Sequence, residues 1–230
     1  MIIAKFVLSI FQQNSRVVAC ERTGRAMAID PGADSSEMVG LIKDKGWHLQ
    51  AVTLTHGHLD HVGGTTFLKN AFPEAEVILH KDDEGLYYGL PQQPLMMGLP
   101  QMQLSALGLD YAEPPRLTRN WEHGERYELG ELVFDVLHCP GHTRGHVVLA
   151  EQSEKKVFVG DCLFAGSIGR TDLPGGDYDQ LMDSINENIM SLGDEFVVYS
   201  GHGPETTIGD ERRSNPFLNG TYSLGSGRYI

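Results

Sequence analysis

A dense group of potential metal ligands follows a short apolar run in the first third of the chain. Three histidines and one aspartate lie within six positions, 56 to 61, directly after the apolar residues 51–54. Neutral imidazole and carboxylate suit zinc and iron, and alternate residues of an extended turn can face one ion while their neighbours face another. The chain has ten histidines among 230 residues, so this density favours a metal-binding loop at the end of a strand over a solvated polar loop.

Short apolar runs rich in β-branched residues recur along the chain, and they are typical of strands. They lie at residues 17–19, 26–29, 52–54, 77–79, 132–137, 147–150, 157–159 and 196–199, and the apolar residues 1–11 indicate a first strand. Helical spacing of apolar residues predicts helices at 62–72 and 179–192, and a capping box at 34–37 predicts a helix that stops at Gly46. Central strands with outer helices predict an α/β protein built as a layered sandwich.

Residues 86–121 depart from this pattern, because they are rich in Leu, Met and Pro. They could be a long surface connection, or they could form a substrate wall or an association surface, since loops of this length are uncommon without a role. An association surface in this segment would be consistent with a homo-oligomer, so the sequence does not decide the oligomeric state. Residues 219–230 are rich in Gly and Ser, which predicts a flexible tail beyond a domain at 1–218.

Charge and cysteine content restrict the partners and the compartment. The formal net charge is -13, with 31 acids against 18 Lys and Arg, so nucleic acid is not expected as a partner. The apolar N-terminus is too short to span a bilayer and has no basic leader, so no membrane association is expected. Three cysteines cannot complete a disulfide framework, which favours a reducing cytoplasm.

Three more segments place a potential ligand in a glycine turn beside an apolar run. They are residues 139–143 with His142, residues 159–162 with Asp161 and residues 200–204 with His202. Glycine permits sharp turns, so each side chain can be aimed back across the end of a sheet. We expect these three residues to join the histidine loop.

Taken in chain order, these segments resemble the motifs of the metallo-β-lactamase superfamily: His-x-His-x-Asp-His, a single His, a single Asp and a final His. The resemblance extends over residues 28–218 and implies a four-layer αβ/βα sandwich with the site at the edge of its two sheets. It also implies two metal ions that share a bridging carboxylate. The implied ligands are His56, His58 and His142 for the first ion, Asp60, His61 and His202 for the second, and Asp161 between them.

Two divalent ions of this kind would supply a bridging hydroxide as the nucleophile at neutral pH, with Asp60 orienting it as well as binding metal. Zinc is the expected metal, and iron and manganese remain alternatives because the same ligands suit all three. Asp30 follows an apolar run and is expected either to support the ligand loop or to form a turn. His138 and His146 are expected either to support His142 or to pack.

Within the superfamily, residues 137–143, 166–177 and 213–218 resemble the glyoxalase II-like hydrolases, in particular their short single-domain branch. That resemblance implies a small-molecule thioester substrate of the hydroxyacylglutathione type. Arg170 is expected to pair with a substrate carboxylate, the alternative being a structural ion pair with Asp172 or Asp177. Asp172 and Pro204 stand where the family has tyrosines that contact glutathione, so the resemblance leaves glutathione selectivity open.

Other activities fit the same motifs. Persulfide dioxygenases share the fold but bind one iron at two histidines and an aspartate, here His56 or His58 with His142 and Asp161. A lactonase would use the same nucleophile on an ester. A metal-retaining scaffold without turnover is disfavoured, because no member of the ligand set is missing.

Overall fold

Two six-stranded sheets form the centre of the part of the chain that the structure, a computed structural model, describes, which is residues 1–96 and 98–220. The strands of the first sheet, in spatial order, are β1 Ile2–Leu8, β2 Gln13–Ala19, β3 Arg25–Ile29, β4 His48–Thr53, β5 Glu76–His80 and β6 Arg119–Trp121. The strands of the second are β7 Arg126–Leu129, β8 Leu132–His138, β9 Val147–Glu151, β10 Lys156–Gly160, β13 Val197–Ser200 and β14 Thr206–Thr207, also in spatial order. A small hairpin, β11 Leu163–Phe164 with β12 Ser167–Ile168, lies outside both sheets.

Helices cover the outer faces of the sheets. Between β3 and β6 the chain forms α1 Ser36–Asp44, α2 Leu59–Val62, α3 Thr65–Ala71, α4 Glu84–Tyr88, α5 Gln93–Met96 and α6 Gln101–Leu107. After β12 it forms α7 Tyr178–Ser184 and α8 Ile208–Ser214.

Three separate apolar cores show that the protein has four layers. The first lies between the helices from α1 to α6 and the first sheet, where Met38 and Leu68 pack with Val52. The second lies between the sheets and includes Trp121 and Phe134. The third joins α7 and α8 to the second sheet. The predicted four-layer αβ/βα sandwich is therefore confirmed.

Each predicted strand is present, but the three predicted helices differ from expectation in their start, their continuity or their winding. Helix α1 begins after Ser35, one residue later than the capping box suggested, because the Ser35 hydroxyl accepts the Met38 amide at 3.1 Å. The helix predicted at 62–72 is split into α2 and α3. Gly63 and Gly64 lie at the break, and a Cβ on Gly64 would collide with the backbone of Ala33, so this position requires glycine.

The third predicted helix, at 179–192, is continuous but changes its winding. Helix α7 is followed by a π-helical segment, Ile185–Ile189, and by a 3-10 turn, Met190–Leu192. The segment 86–121 also contains helices, α5 and α6, and its Leu90 and Leu104 belong to the first core. It is therefore a packed part of the fold and more than a surface connection.

Strand direction brings the sequence motifs to one edge of the sandwich. Strands β3, β4 and β5 are parallel neighbours, and β10 runs parallel to β13. The ends of these strands therefore lie side by side. Among the described residues, no helix has the length and apolar character needed to cross a lipid bilayer. The division at 218 stays a prediction, because residues 221–230 of the predicted tail lie outside the described residues.

Candidate metal centre

The seven predicted metal ligands come together where the strands end. The loop after β4 and the start of α2 carry His56, His58, Asp60 and His61, while the turns after β8, β10 and β13 carry the other three. Their potential ligand atoms form overlapping groups, each with all its atoms within 4.8 Å of one another. The groups are His56, His58 and His142; Asp60, His61 and His202; and His56, His61 and Asp161.

The loop is not the extended turn that alternating ligands suggested. His58 has an extended backbone and precedes α2, whereas Asp60 and His61 lie in its single helical turn. The helical turn directs Asp60 and His61 to the side of the cluster where His202 lies, and His202 Nε2 is 3.1 Å from Asp60 Oδ2. His58 Nδ1 lies 2.9 Å from His142 Nε2.

Hydrogen bonds fix which ring nitrogen of three histidines carries the proton. The backbone carbonyl of Arg170 can only accept, so His142 Nδ1 donates to it at 2.8 Å. His61 Nδ1 donates to Asp30 Oδ2 at 3.0 Å, because Asp30 is a carboxylate. In each ring the Nε2 lone pair is then left for another partner.

The protonated ring nitrogen of His56 is fixed in the same way, by a hydrogen bond to Thr55. The Thr55 hydroxyl donates to Asp30 Oδ2 at 2.6 Å, so its oxygen accepts from His56 Nδ1 at 3.1 Å. Ligating histidines in proteins usually donate their second ring nitrogen in this way, which fixes the ring and its tautomer. Asp30 therefore supports the ligand loop, which is one of the two roles expected from the sequence.

Three buried polar atoms at the centre of the cluster have no hydrogen-bond partner. They are His56 Nε2, His61 Nε2 and Asp161 Oδ1. Buried polar atoms without partners are costly and rare, and they call for an explanation such as a bound ion. His61 Nε2 is 3.3 Å from Asp161 Oδ1, and Asp161 Oδ2 is 3.6 Å from His202 Nε2, so this carboxylate lies between the groups. The donor set fits divalent metal ions.

The pKa values follow from burial and from the carboxylates. Burial lowers the pKa of His58 to about 3 and lowers the pKa of His56 and His142, so these imidazoles are neutral, the form that binds metal. Burial acts in the same direction on His61, but the carboxylates of Asp161 and Asp60 outweigh it and raise the pKa of His61, so a metal ion at its Nε2 would take the place of a proton. The neighbouring histidines hold the pKa of Asp161 below its usual range despite its burial.

Asp83 is a buried residue of the site that the sequence did not reveal. Its Oδ2 accepts the Gly57 amide at 2.9 Å and the Thr143 hydroxyl at 2.6 Å, and its Oδ1 accepts the Gly145 amide at 2.7 Å. It therefore joins the loop that carries His56 to the turn that carries His142. The only available signal was its position three residues after His80, which ends the apolar run 77–79, and many surface aspartates share such a position.

His146 supports the second half of the site. Its Nε2 accepts the Asp161 amide at 3.1 Å, so its Nδ1 carries the proton and faces Cys162 Sγ at 3.3 Å. Its ring stacks on His56 with centroids 4.9 Å apart. His146 therefore supports Asp161, not His142 as one of its two expected roles had it, and the Cys162 thiol beside it is buried.

A cavity of about 510 Å³ opens beside the cluster. The lining residues that are not candidate ligands are mainly apolar and include Phe11, Leu86, Met96, Phe164, Ile168 and Leu173. Leu86 and Met96 belong to the segment 86–121, which therefore forms one wall of the cavity. Arg170 also lines it, but its Nε and Nη2 donate to Asp172 at 2.7 and 2.8 Å, the structural ion pair that was the alternative.

Comparison with known proteins settles the family. Residues 9–202 match the model of the metallo-β-lactamase superfamily, which is more than half of the chain. The chain belongs to this superfamily. The matched span contains all seven candidate ligands, and it accounts for the four layers described above.

Individual relatives are similar over nearly their whole length. The chain is 40% identical over 212 residues to the hydroxyacylglutathione hydrolase GloC of Haemophilus influenzae, covering 92% of this chain and 95% of that one. It resembles the structure of TTHA1623 in a di-iron-bound form with a TM-score of 0.81, 37% identity and coverage of 94% and 100%. The structure of the BLEG-1 B3 metallo-β-lactamase has a TM-score of 0.80, 32% identity and coverage of 94% and 99%.

Proposed function

We propose that the protein is a binuclear metal-dependent hydrolase that cleaves thioesters of the hydroxyacylglutathione type. The observation that carries this proposal is that the buried Nε2 atoms of His56 and His61 have no hydrogen-bond partner while both histidines lie in one group with the Asp161 carboxylate. His56, His58 and His142 would hold one ion, Asp60, His61 and His202 the other, and Asp161 would bridge them. The similarity to GloC supports the choice of substrate.

Two bound divalent ions would supply Lewis acidity toward the acyl carbonyl and a hydroxide nucleophile at neutral pH. The chain's own residues orient this chemistry. Asp60 Oδ2 lies 3.1 Å from His202 Nε2 at the edge of the cavity, so the two groups are close enough to bind one ion. Leu86 and Phe164 belong to the apolar wall of the cavity, which would reduce the water around the acyl group of a bound substrate.

The leaving group decides between thioester and amide. Besides the candidate ligands, Arg170 is the sole titratable side chain among the described residues that line the cavity, and a guanidinium does not donate a proton at neutral pH. An amine needs a proton before it leaves, but an alkyl thiol with a pKa of about 8.5 leaves as the thiolate. The cavity therefore suits a thioester better than a β-lactam or a peptide.

Metal identity and compartment belong to the proposal as well. Zinc is the metal we propose, while the di-iron form of TTHA1623 makes iron the main alternative. Three buried cysteines without disulfides accord with a reducing cytoplasm.

The deciding experiment measures the metal content of protein purified without added metal, followed by turnover of S-lactoylglutathione, a lactone and glutathione persulfide on the same sample. We expect two ions per chain and thiol release from the thioester, both lost in Asp161→Asn. His48→Gln is the matched control, because His48 is an exposed histidine on β4. Two bound ions without thioester turnover would refute the proposal, and one iron with oxygen uptake on the persulfide would establish a dioxygenase.

A further inference from the structure

A second group of potential ligands lies outside the candidate metal centre. His80 ends β5 and His138 ends β8, and their rings stack with centroids 4.2 Å apart and planes 15° apart. Asp82 completes the group, whose potential ligand atoms all lie within 4.8 Å of one another. It has no residue in common with the groups around Asp161.

Each ring has its lone pair on Nδ1, and the lone pair of His80 already accepts a hydrogen bond from the chain itself. His138 Nε2 donates to the Arg144 carbonyl at 2.8 Å, so His138 Nδ1 carries no proton when the ring is neutral. His80 Nδ1 accepts the Asp82 amide in a long hydrogen bond of 3.3 Å, so it too carries no proton. Burial and the nearby His138 lower the pKa of His80, which keeps this ring neutral.

His138 also has the support that ligating histidines have. A metal-bound imidazole usually donates its other ring nitrogen to a carboxylate or a backbone carbonyl, as His138 Nε2 does to Arg144. The same arrangement is present at His142, whose Nδ1 donates to the Arg170 carbonyl.

We propose that His80, His138 and Asp82 form an additional binding site for a divalent transition metal ion, with zinc as the preferred ion. Two imidazoles and a carboxylate are a common zinc donor set, and water would complete a tetrahedral site. The Asp82 carboxylate is 46% exposed and 3.7 Å from His80 Nδ1, so the ion enters from solvent. The stacked rings must turn out of parallel for their lone pairs to meet at one ion, and the ion must displace the Asp82 amide from His80 Nδ1. That hydrogen bond is long, and the exposed carboxylate can follow the rings.

Occupation of this site would tie two strand ends together. His138 lies four positions before His142, and Asp82 is next to Asp83, which already binds Thr143 and Gly145. An ion here would reinforce the link that Asp83 makes between the end of β5 and the turn after β8. We therefore expect zinc to raise the thermal midpoint of unfolding by an amount that depends on this site.

The test is zinc titration of the protein whose candidate metal centre is already filled, followed with a zinc-sensitive indicator and by metal analysis. The wild type should take up one further zinc ion per chain. Asp82→Asn and His138→Gln should each weaken this uptake at least about tenfold, the loss that removal of even an outer-shell partner produces. The metal already bound at the candidate centre should stay in place in both variants.

His48→Gln controls for the loss of a histidine elsewhere on the surface. The proposal is wrong if the wild type takes up no further ion, if Asp82→Asn and His138→Gln bind it as tightly as the wild type, or if His48→Gln weakens it equally. Asp82→Asn changes an exposed side chain, so it keeps the test decisive even if His138→Gln folds poorly. Thermal unfolding with and without excess zinc provides a second readout, and the shift should be smaller in Asp82→Asn.

Discussion

The Asp83 carboxylate accepts the Thr143 hydroxyl at 2.6 Å across 60 residues of sequence. The same carboxylate holds the amides of Gly57 and Gly145. One buried anion thus sets the distance between the turns that carry His56 and His142. Its burial raises the pKa of Asp83, a cost that the three hydrogen bonds offset in part.

Asp83→Asn should weaken metal binding about 10- to 100-fold, because it disturbs the alignment of His56 and His142. The new carboxamide would also place its own N–H group against one of the N–H or O–H donors that Asp83 now accepts. This should lower the free energy of unfolding by about 1–3 kcal/mol. Metal affinity from competition with a chelator, and urea unfolding, measure the two effects. Asp82→Asn is the matched neighbour, and unchanged affinity at the candidate centre in Asp83→Asn would show that Asp83 does not position the ligands.

Gly141→Ala should destabilise the protein by about 1–3 kcal/mol. Gly141 has a φ of +130°, and a Cβ there would collide with the backbone of Leu181, so the turn before His142 must shift. Metal content should fall together with the thermal midpoint. Gly40→Ala is the control, because a Cβ there meets no atom within 4 Å and alanine should stabilise α1 by about 0.5–1 kcal/mol. Equal effects in the two variants would contradict the packing argument.

Arg170→Ala tests the predicted contact with an anionic substrate. If Arg170 binds a substrate carboxylate, KM for S-lactoylglutathione should rise about fivefold with kcat unchanged, as expected for an exposed ion pair of about 1 kcal/mol. A thioester of uncharged N-acetylcysteamine should be unaffected. Asp172→Asn should instead lower KM for the glutathione thioester, since it releases the guanidinium. An unchanged KM in both variants would leave Arg170 with its structural ion pair alone.

The stability of the metal-free protein should fall as the pH falls below about 6.5. The pKa of His58 is about 3 in the folded protein, so between these values the unfolded chain binds a proton that the folded chain does not. Each such histidine contributes a slope of about 1.4 kcal/mol per pH unit, with stability rising as the pH rises. Urea unfolding at pH 7 and pH 5 should show a smaller difference in His58→Gln. An identical pH dependence in that variant would contradict the lowered pKa.

Sequence patterns predicted the strands and the approach of the seven candidate ligands to one another, because both depend on local order. Apolar runs specify strands, and the ligands stand in short motifs directly after them. The break between α2 and α3 was missed because it depends on the close approach of Gly64 to Ala33, residues 31 positions apart (64 minus 33). Asp83 was missed for the same reason, since its partners Gly57 and Thr143 come from distant turns.

The sequence also could not decide the role of residues 86–121. Their apolar residues follow no single period, and the structure shows why, because Leu104 faces the first core while Met96 faces the cavity. Because the segment packs against the core and also lines the cavity, its apolar residues follow two overlapping patterns. A similar limit applies to Arg170. The sequence shows that Asp172 is a potential partner, but it does not show whether Arg170 pairs with Asp172 or with a substrate.

The candidate ligands are divided between the two sheets. The loop after β4 supplies four of them from the first sheet, and the turns after β8, β10 and β13 supply three from the second. Neither half of the sandwich holds a full set, so a chain with one folded half could not retain both ions. Metal occupancy would then depend on the docking of the two halves. A chelator would weaken the association of the two sheets as well as remove the activity.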